Sequence, residues 1–184
     1  GEFGAEAIAH QPQDCNGVSD GDGGDGTEIS ITVVTDHYGE EISWELVRTD
    51  GSIIMSVAEN TYAHKGEGVA YNHTLCVEDG CYNLLTHDPY GDGWTSLPDE
   101  VTNYPGFQGS IEVKSISDNT VLAFQEPTGS GGQSLVSLGN GSCYYGCSDS
   151  AACNYDVDPM FLSTEACVYA SDIDLCGICS GETD

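Results

Sequence analysis

The most regular feature of the chain between residues 28 and 140 is a series of short segments in which apolar and polar residues alternate. A repeat of two residues is typical of a strand with one buried face. About eight such segments occur, without a convincing helical periodicity, which predicts an all-β fold. We expect an antiparallel β-sandwich or jelly roll. The first two segments place their apolar residues on one side as follows: Ile29, Ile31 and Val33, then Ile42, Trp44 and Leu46.

Short polar turns separate the alternating segments. Asp50-Gly51, Asp79-Gly80 and Asp118-Asn119 each stand between two of them. These residue types tolerate the positive φ of tight turns, so each dipeptide predicts a β-hairpin. The segment Gln133 to Leu138 supplies a final strand.

Composition divides the chain into three parts. Residues 1–27 contain the Gly/Asp run SDGDGGDG and no sustained periodicity, which indicates an N-terminal arm and linker. Residues 28–140 form the predicted sandwich, and residues 141–184 form a cysteine-rich module. This last part has no aliphatic pattern able to build a core, so we expect a small, irregular, disulfide-stabilised tail. Because no signal-peptide pattern opens the chain, we expect a processed form or a fragment of a longer repetitive protein.

The charge is strongly acidic. Three basic residues stand against 31 acidic ones, giving a net charge of -28. Phosphate binding needs clustered Lys and Arg, so this balance excludes nucleic acid and anionic membrane surfaces as partners. No apolar stretch reaches the roughly 18 residues that a bilayer-spanning helix needs, so we expect no membrane insertion. The carboxylates repel one another unless cations neutralise them, and calcium is the natural extracellular candidate.

Nine cysteines indicate a secreted protein, because disulfides persist in oxidising compartments. Cys76 and Cys81 flank one predicted turn and would be able to bridge its stems. The other pairings stay open, and an odd count leaves one thiol to pair outside this chain. A zinc site at Cys176 and Cys179 is the less favoured alternative, since all five histidines lie at or before His87. The predicted disulfide residues are Cys15, Cys76, Cys81, Cys143, Cys147, Cys153, Cys167, Cys176 and Cys179.

Two loops with the pattern D-x-Y-G follow predicted strands. One is Asp88 to Trp94, with oxygen donors at relative positions 1 and 5 and a glycine at position 6, as in a calcium loop. The other is Asp36 to Glu41. A sandwich would be able to bring both loops to one ion through Asp36, Glu41, Asp88 and Asp92, and Asp99 is a further candidate calcium ligand because it falls at position 12 of the Asp88 loop. The alternative is a pair of polar turns whose aromatic residues pack over the end of the sandwich.

Two N-glycosylation sequons occur, Asn72-His73-Thr74 and Asn140-Gly141-Ser142. Within the segment that begins at Val69, alternation places Val69, Tyr71 and Leu75 inward and Asn72 and Thr74 outward. An outward asparagine is what attachment of a glycan requires. The sequence therefore predicts N-linked glycans at Asn72 and Asn140.

The tail resembles cysteine-rich repeats of the form G-C-T-D-P-x-A-C-N-Y that occur in large secreted proteins of aquatic microbes. The resemblance rests on Gly146 to Tyr155, on Cys167-Val168-Tyr169 and on Cys176 to Gly181. The domain before it resembles β-sandwich modules of the same proteins, through the segments Asp36 to Leu46, Cys81-Tyr82 and Asp88 to Trp94. The resemblance implies an extracellular, calcium-dependent structural or adhesive module. Ser148 and Ser150 depart from the usual Thr and Pro.

These features predict an extracellular structural protein, a subunit of a filament, sheath or surface appendage stabilised by calcium, disulfides and N-glycans. The arm Gly1 to Gln13 would join copies head to tail by adding a strand to a neighbour, unless it is simply a disordered terminus. One alternative is a calcium-dependent carbohydrate-binding or adhesion module in which Tyr90 and Trp94 contact a sugar. Another is the non-catalytic appendage of a secreted hydrolase. We expect no enzymatic activity, because no motif for nucleophilic or metal-assisted catalysis occurs.

Overall fold

A computed structural model describes residues 26–64, 68–97, 106–139 and 142–169. The chain divides into two compact units, Gly1–Gly141 and Ser142–Asp184. Several predictions concern positions outside the described residues: the N-terminal arm, Asp99, Asn140, Cys15, Cys176 and Cys179.

The first unit is an antiparallel β-sandwich, and the all-β prediction is confirmed. One four-stranded sheet has the order β4-β1-β8-β9 and the other β10-β5-β2-β3. The short strands β6 and β7 pair separately. The jelly-roll connectivity stays a prediction. The strand bounds are β1 Thr27–Val34, β2 Ser43–Arg48, β3 Ile53–Val57, β4 Ala70–Val77, β5 Gly80–His87, β6 Thr95–Ser96, β7 Phe107–Gln108, β8 Ser110–Ser115, β9 Val121–Gln125 and β10 Gly131–Leu138.

The core lies between the two sheets and is built from the inward side of each alternating strand. In β1 every second residue from Ile29 is fully buried, while Ser30 and Thr32 are half-buried on the other side. The same alternation recurs in β8. Burial of these branched and aromatic side chains is the main stabilising contribution to the unit. The largest fully buried apolar residues are Ile29, Ile31, Val33, Ile42, Trp44, Leu46, Leu84, Trp94, Ile111, Val113 and Val136.

Two of the three predicted hairpins are confirmed. Strands β2 and β3 pair around Gly51, which has a φ of 82°, and β8 and β9 pair around Asn119, with a φ of 58°. The hairpin predicted at Asp79-Gly80 is wrong, because β4 and β5 belong to different sheets. The turn there carries the chain from one layer to the other. Val69 also departs from its prediction, since it precedes β4 and is 44% exposed.

The second unit contains little regular structure among residues 142–169. Strands β11, Tyr145–Gly146, and β12, Phe161–Leu162, form one short parallel pair, and a 3-10 turn follows at Thr164–Ala166. Its irregular backbone agrees with the scarcity of aliphatic residues in this part of the sequence. No helix among the described residues of either unit is long and apolar enough to cross a membrane.

Candidate metal site

The two D-x-Y-G loops each begin with a buried aspartate just after a strand. Asp36 follows β1 in one sheet and is 2% exposed, while Asp88 follows β5 in the other sheet and is 5% exposed. Burying a carboxylate is costly unless hydrogen bonds or a cation compensate for the lost water. Local hydrogen bonds or a bound cation must therefore stabilise the buried carboxylates of both aspartates.

The first compensation comes from the backbone of the same loops. The Tyr38 N–H donates to Asp36 Oδ1 at 3.0 Å. In the second loop, the N–H groups of Tyr90 and Gly91 donate to Asp88 Oδ1 at 2.8 and 3.0 Å. Aspartate side chains commonly hold turns by such bonds to the backbone two residues later. The repeated motif thus encodes the same turn twice.

Glycine and tryptophan fix the second loop against the body of the sandwich. Gly93 has a φ of 84°, and a Cβ there would lie 2.7 Å from the Pro127 carbonyl oxygen. The Trp94 side chain is 1% exposed, and its Nε1–H donates to the His87 carbonyl at 3.2 Å. Only glycine adopts this conformation at so close an approach without strain. The loop that carries Asp88 and Asp92 is therefore held rigidly.

The loops bring three carboxylates together. Glu41, Asp88 and Asp92 each offer an oxygen, and these oxygens lie within 4.8 Å of one another. Glu41 belongs to a 3-10 turn, Gly39–Glu41, that directs the end of the first loop toward the second. Such an all-oxygen arrangement suits a hard divalent cation such as calcium better than a metal that prefers nitrogen or sulfur.

Electrostatics connects a fourth carboxylate to the cluster. The pKa of Asp36 is raised to about 6: burial is the main cause, the hydrogen bond from Tyr38 opposes it, and the charges of Asp88 and Asp92 add to it. The pKa of Glu41 is raised to about 7, chiefly by burial and then by the charges of Asp92 and Asp88. The ionised cluster is thus under repulsive strain that a proton or a cation would relieve.

The described basic side chains do not supply that positive charge. Arg48 pairs with Glu78 at 3.2 Å, and Lys114 pairs with Glu112 at 2.6 Å. The third basic residue, Lys65, lies outside the described residues. Within the described part of the protein, the carboxylate cluster therefore has no Lys or Arg partner.

A hydrogen bond joins Glu40 of the first loop to His64, a contact that the sequence analysis did not anticipate. Glu40 Oε1 lies 2.5 Å from His64 Nδ1, and Tyr38 and His64 form a β-bridge. The pair depends on a long-range contact across 24 residues, for which the local sequence gives no signal. It shows that the first loop is held by contacts of its own besides the carboxylate cluster.

Four of the five candidate ligands thus fall in one region: Asp36, Glu41, Asp88 and Asp92. Asp99 lies outside the described residues. The alternative in which Trp94 contacts a sugar is wrong for this residue, because Trp94 is buried in the core. Tyr90, by contrast, is 75% exposed.

A hydrogen-bonded chain of aromatic residues joins the core of the sandwich to the half-buried His73 in β4. The Trp44 Nε1–H donates to the Tyr62 hydroxyl at 2.9 Å, and this hydroxyl lies 3.0 Å from His73 Nε2. Burial raises the pKa of Tyr62 to about 12 and lowers the pKa of His73. Because the Tyr62 hydroxyl accepts a hydrogen bond from Trp44, its own hydrogen is available for donation to His73 Nε2. The lowered pKa of His73 agrees with a neutral ring that accepts this bond.

In the second unit, side chains of the cysteine-rich motif replace regular strand pairing. Asn154 accepts from the Val168 N–H at 2.8 Å and donates through Nδ2 to the Ala166 carbonyl at 2.6 Å. Asp149 accepts from the Ala151 N–H at 2.9 Å and from the Tyr169 hydroxyl at 2.7 Å. The Asn and Asp of this motif thus tie its two ends together by hydrogen bonds.

Disulfides add covalent links to both units. Cys147 and Cys167 are joined, with their Cα atoms 4.8 Å apart. All six cysteines in the described residues are disulfide-bonded, which confirms that part of the prediction. They are Cys76, Cys81, Cys143, Cys147, Cys153 and Cys167.

The described sequon lies on the outer side of the first unit. Asn72 and Thr74 are exposed in β4, whereas His73 between them points inward against Trp44. The predicted orientation of Asn72 and Thr74 is therefore confirmed.

Comparison of the chain with protein families, with curated proteins and with solved structures found no match. Function must therefore be argued from the carboxylate cluster, the disulfides and the surfaces of the two units.

Proposed function

We propose that this protein is an extracellular structural subunit of a filament, sheath or surface appendage. Its β-sandwich is a rigid building block stabilised by a bound calcium ion, and its disulfide-linked module and N-linked glycans adapt it to the outside of the cell. The proposal assigns no catalytic role to the chain. The observation that carries it is the meeting of Glu41, Asp88 and Asp92 within 4.8 Å of one another.

Bound calcium would explain how Glu41, the buried Asp88 and Asp92 lie so close together without a basic partner among the described residues. A divalent ion cancels the repulsion that raises the pKa values of Asp36 and Glu41. Calcium takes six to eight oxygen ligands, so carbonyl or water oxygens would complete a shell begun by the carboxylates. By joining loops from both sheets, the ion would stiffen one end of the sandwich.

Calorimetry on chelator-treated protein tests this site. We expect one calcium ion to bind, and terbium in its place to luminesce when Tyr90 or another nearby aromatic residue is excited. Asp92→Asn should weaken both signals at least tenfold. Glu59→Gln, which removes an exposed acid outside the cluster, should leave them unchanged. Equal uptake by the two variants would contradict the assignment.

The structural role follows from the construction of the two units. Disulfides and loop-bridging ions stabilise small modules that must persist outside the cell without chaperones. Copies would join head to tail, as the sequence analysis predicts for the N-terminal arm. Electron microscopy of native material should show regular fibres that shorten or disperse after treatment with chelator and reductant. Monodisperse particles under native conditions would count against assembly.

Tyr90 supports a second candidate function, calcium-dependent carbohydrate binding. Its ring is 75% exposed in the loop that carries Asp88 and Asp92, so it would be able to stack on a sugar beside the ion. A glycan array probed with and without calcium discriminates between the two candidates. Binding that needs calcium and is lost in Tyr90→Ala favours adhesion over a purely structural role.

A further inference from the structure

We propose that Asn72 carries an N-linked oligosaccharide that lies across the outer face of the β4-β1-β8-β9 sheet toward Phe124. The inference rests on the proposed extracellular function and goes beyond it by giving the glycan a defined place on the protein.

The Asn72 side chain is held by its oxygen, so that its nitrogen Nδ2 is available for attachment of a sugar. The Thr32 hydroxyl donates to Asn72 Oδ1 at 2.8 Å. This bond leaves Nδ2 without a hydrogen-bond partner among the described residues, on an exposed side chain of an edge strand. Attachment joins Nδ2 to C1 of the first sugar of a lipid-linked oligosaccharide, with loss of one amide proton and departure of the lipid pyrophosphate. Thr74, the third residue of the sequon, is exposed as well.

The register of the sheet places a continuous row of side chains beside this nitrogen. Asn72 pairs with Thr32, Thr32 with Glu112, and Glu112 with Phe124. Strands lie about 4.8 Å apart, so the row runs about 14 Å from Asn72 to Phe124. An oligosaccharide of several sugars spans that distance. All four side chains lie on the side of the sheet away from the core.

The chemistry of this face suits a neutral sugar. The ion pair between Glu112 and Lys114, at 2.6 Å, cancels the two charges near the middle of the face, although the chain as a whole carries a net charge of -28. Hydroxyl groups of Ser30 and Thr32 lie beside the pair in the register. Sugars have many hydrogen-bonding groups, and such a face offers both donors and acceptors to them.

Phe124 provides the end point of the row. Its ring is 53% exposed on the edge strand β9, and Val121 on the same strand is 49% exposed. The apolar faces of sugar rings pack on aromatic side chains, whereas an uncovered aromatic residue on a strand edge favours unwanted pairing with other chains. A glycan from Asn72 would cover both residues.

Secretion from a eukaryotic host followed by peptide mapping tests attachment. Treatment with peptide N-glycosidase in heavy-oxygen water should convert Asn72 to a labelled aspartate in the unaltered protein. Thr74→Ser keeps the sequon and should keep the modification, whereas Thr74→Ala should lose it. An unmodified Asn72 in protein that still binds calcium overturns this inference but not the metal-stabilised module. Conversely, fully glycosylated protein that binds no calcium would overturn the metal-stabilised module but not the inference about Asn72.

The position of the glycan is tested by NMR of the glycosylated protein with labelled sugars. Stacking on Phe124 should shift at least one sugar proton upfield, and the shift should vanish in Phe124→Leu at unchanged occupancy. Identical sugar spectra for the two proteins would overturn the proposed path across the sheet. So would a glycosylated protein that dimerises through Phe124, because the face would then bind a second copy.

Discussion

Replacing Asp92 by asparagine should have opposite effects on stability in the absence and in the presence of calcium. Without the ion, the charge of Asp92 is the largest electrostatic contribution, after burial, to the raised pKa of Glu41. Asp92→Asn removes that repulsion and keeps the size of the side chain. With the ion bound, the same change removes a ligand. If Asp92 had only a structural role, Asp92→Asn would change the free energy of unfolding in the same direction with and without calcium.

The magnitude follows from the geometry. Two unit charges about 5 Å apart interact with about 3 kcal/mol at an effective dielectric constant of about 20. Asp92 is exposed, so solvent screening reduces the gain on its removal to about 1 kcal/mol. In excess calcium, binding that is at least tenfold weaker costs about 1.4 kcal/mol or more, which outweighs the gain of about 1 kcal/mol and leaves a net loss of about 0.4 kcal/mol or more.

Urea denaturation at a pH well above the Glu41 pKa of about 7 measures both effects. Asp92→Asn should be more stable than the unaltered protein in EDTA and less stable in excess calcium. Glu59→Gln provides the matched control and should respond equally in the two buffers. If Asp92→Asn lowers the free energy of unfolding in EDTA, the cluster is not under repulsion and the argument for a cation fails.

Two further substitutions test the supports of the site and the core. Gly93→Ala should destabilise the sandwich by about 2 kcal/mol and weaken calcium binding, because the φ of 84° at Gly93 and the nearby Pro127 carbonyl leave no room for a Cβ. Urea denaturation measures the first effect and calorimetry the second. Unchanged stability and unchanged binding would show that the loop relaxes freely. Tyr62→Phe should lower the free energy of unfolding by about 2 kcal/mol, since Trp44 loses its hydrogen-bond acceptor and His73 loses a donor. A decrease well below 1 kcal/mol would mean that these side chains contribute only packing.

The alternating pattern predicts the strands well because each has one face in the core and one in solvent. In β1 and β8 the burial alternates residue by residue, and the apolar residues of the sequence are the buried ones. The wrong hairpin at Asp79-Gly80 shows the limit of this argument. A tight turn allows the chain to reverse, but whether the next strand pairs with the previous one or crosses to the other sheet depends on long-range packing.

The sequence identifies the carboxylates that cluster at the candidate site, but it does not predict the long-range contacts that hold the surrounding loops. The D-x-Y-G motif gives a local signal because its aspartate makes bonds within the same turn. By contrast, the contact between Glu40 and His64 and the chain from Trp44 through Tyr62 to His73 join residues that are distant in sequence. No local pattern encodes such contacts, so the sequence analysis left His64 and His73 without defined roles.

Asp36 and Glu41 make stability depend on pH in one direction, His73 makes it depend on pH in the other, and a bound ion would remove only the first dependence. The raised pKa values of Asp36 and Glu41 give the metal-free fold a contribution that is present in acid and is lost as the pH rises through about 6 and about 7. His73 has a lowered pKa, so its contribution is present above its ordinary value of 6.5 and is lost as the pH falls below it. A bound cation replaces the protons on the carboxylates and removes only the loss at high pH. Calcium should therefore extend the stable range toward alkaline pH and leave the acid side, where His73 acts, to the protein itself.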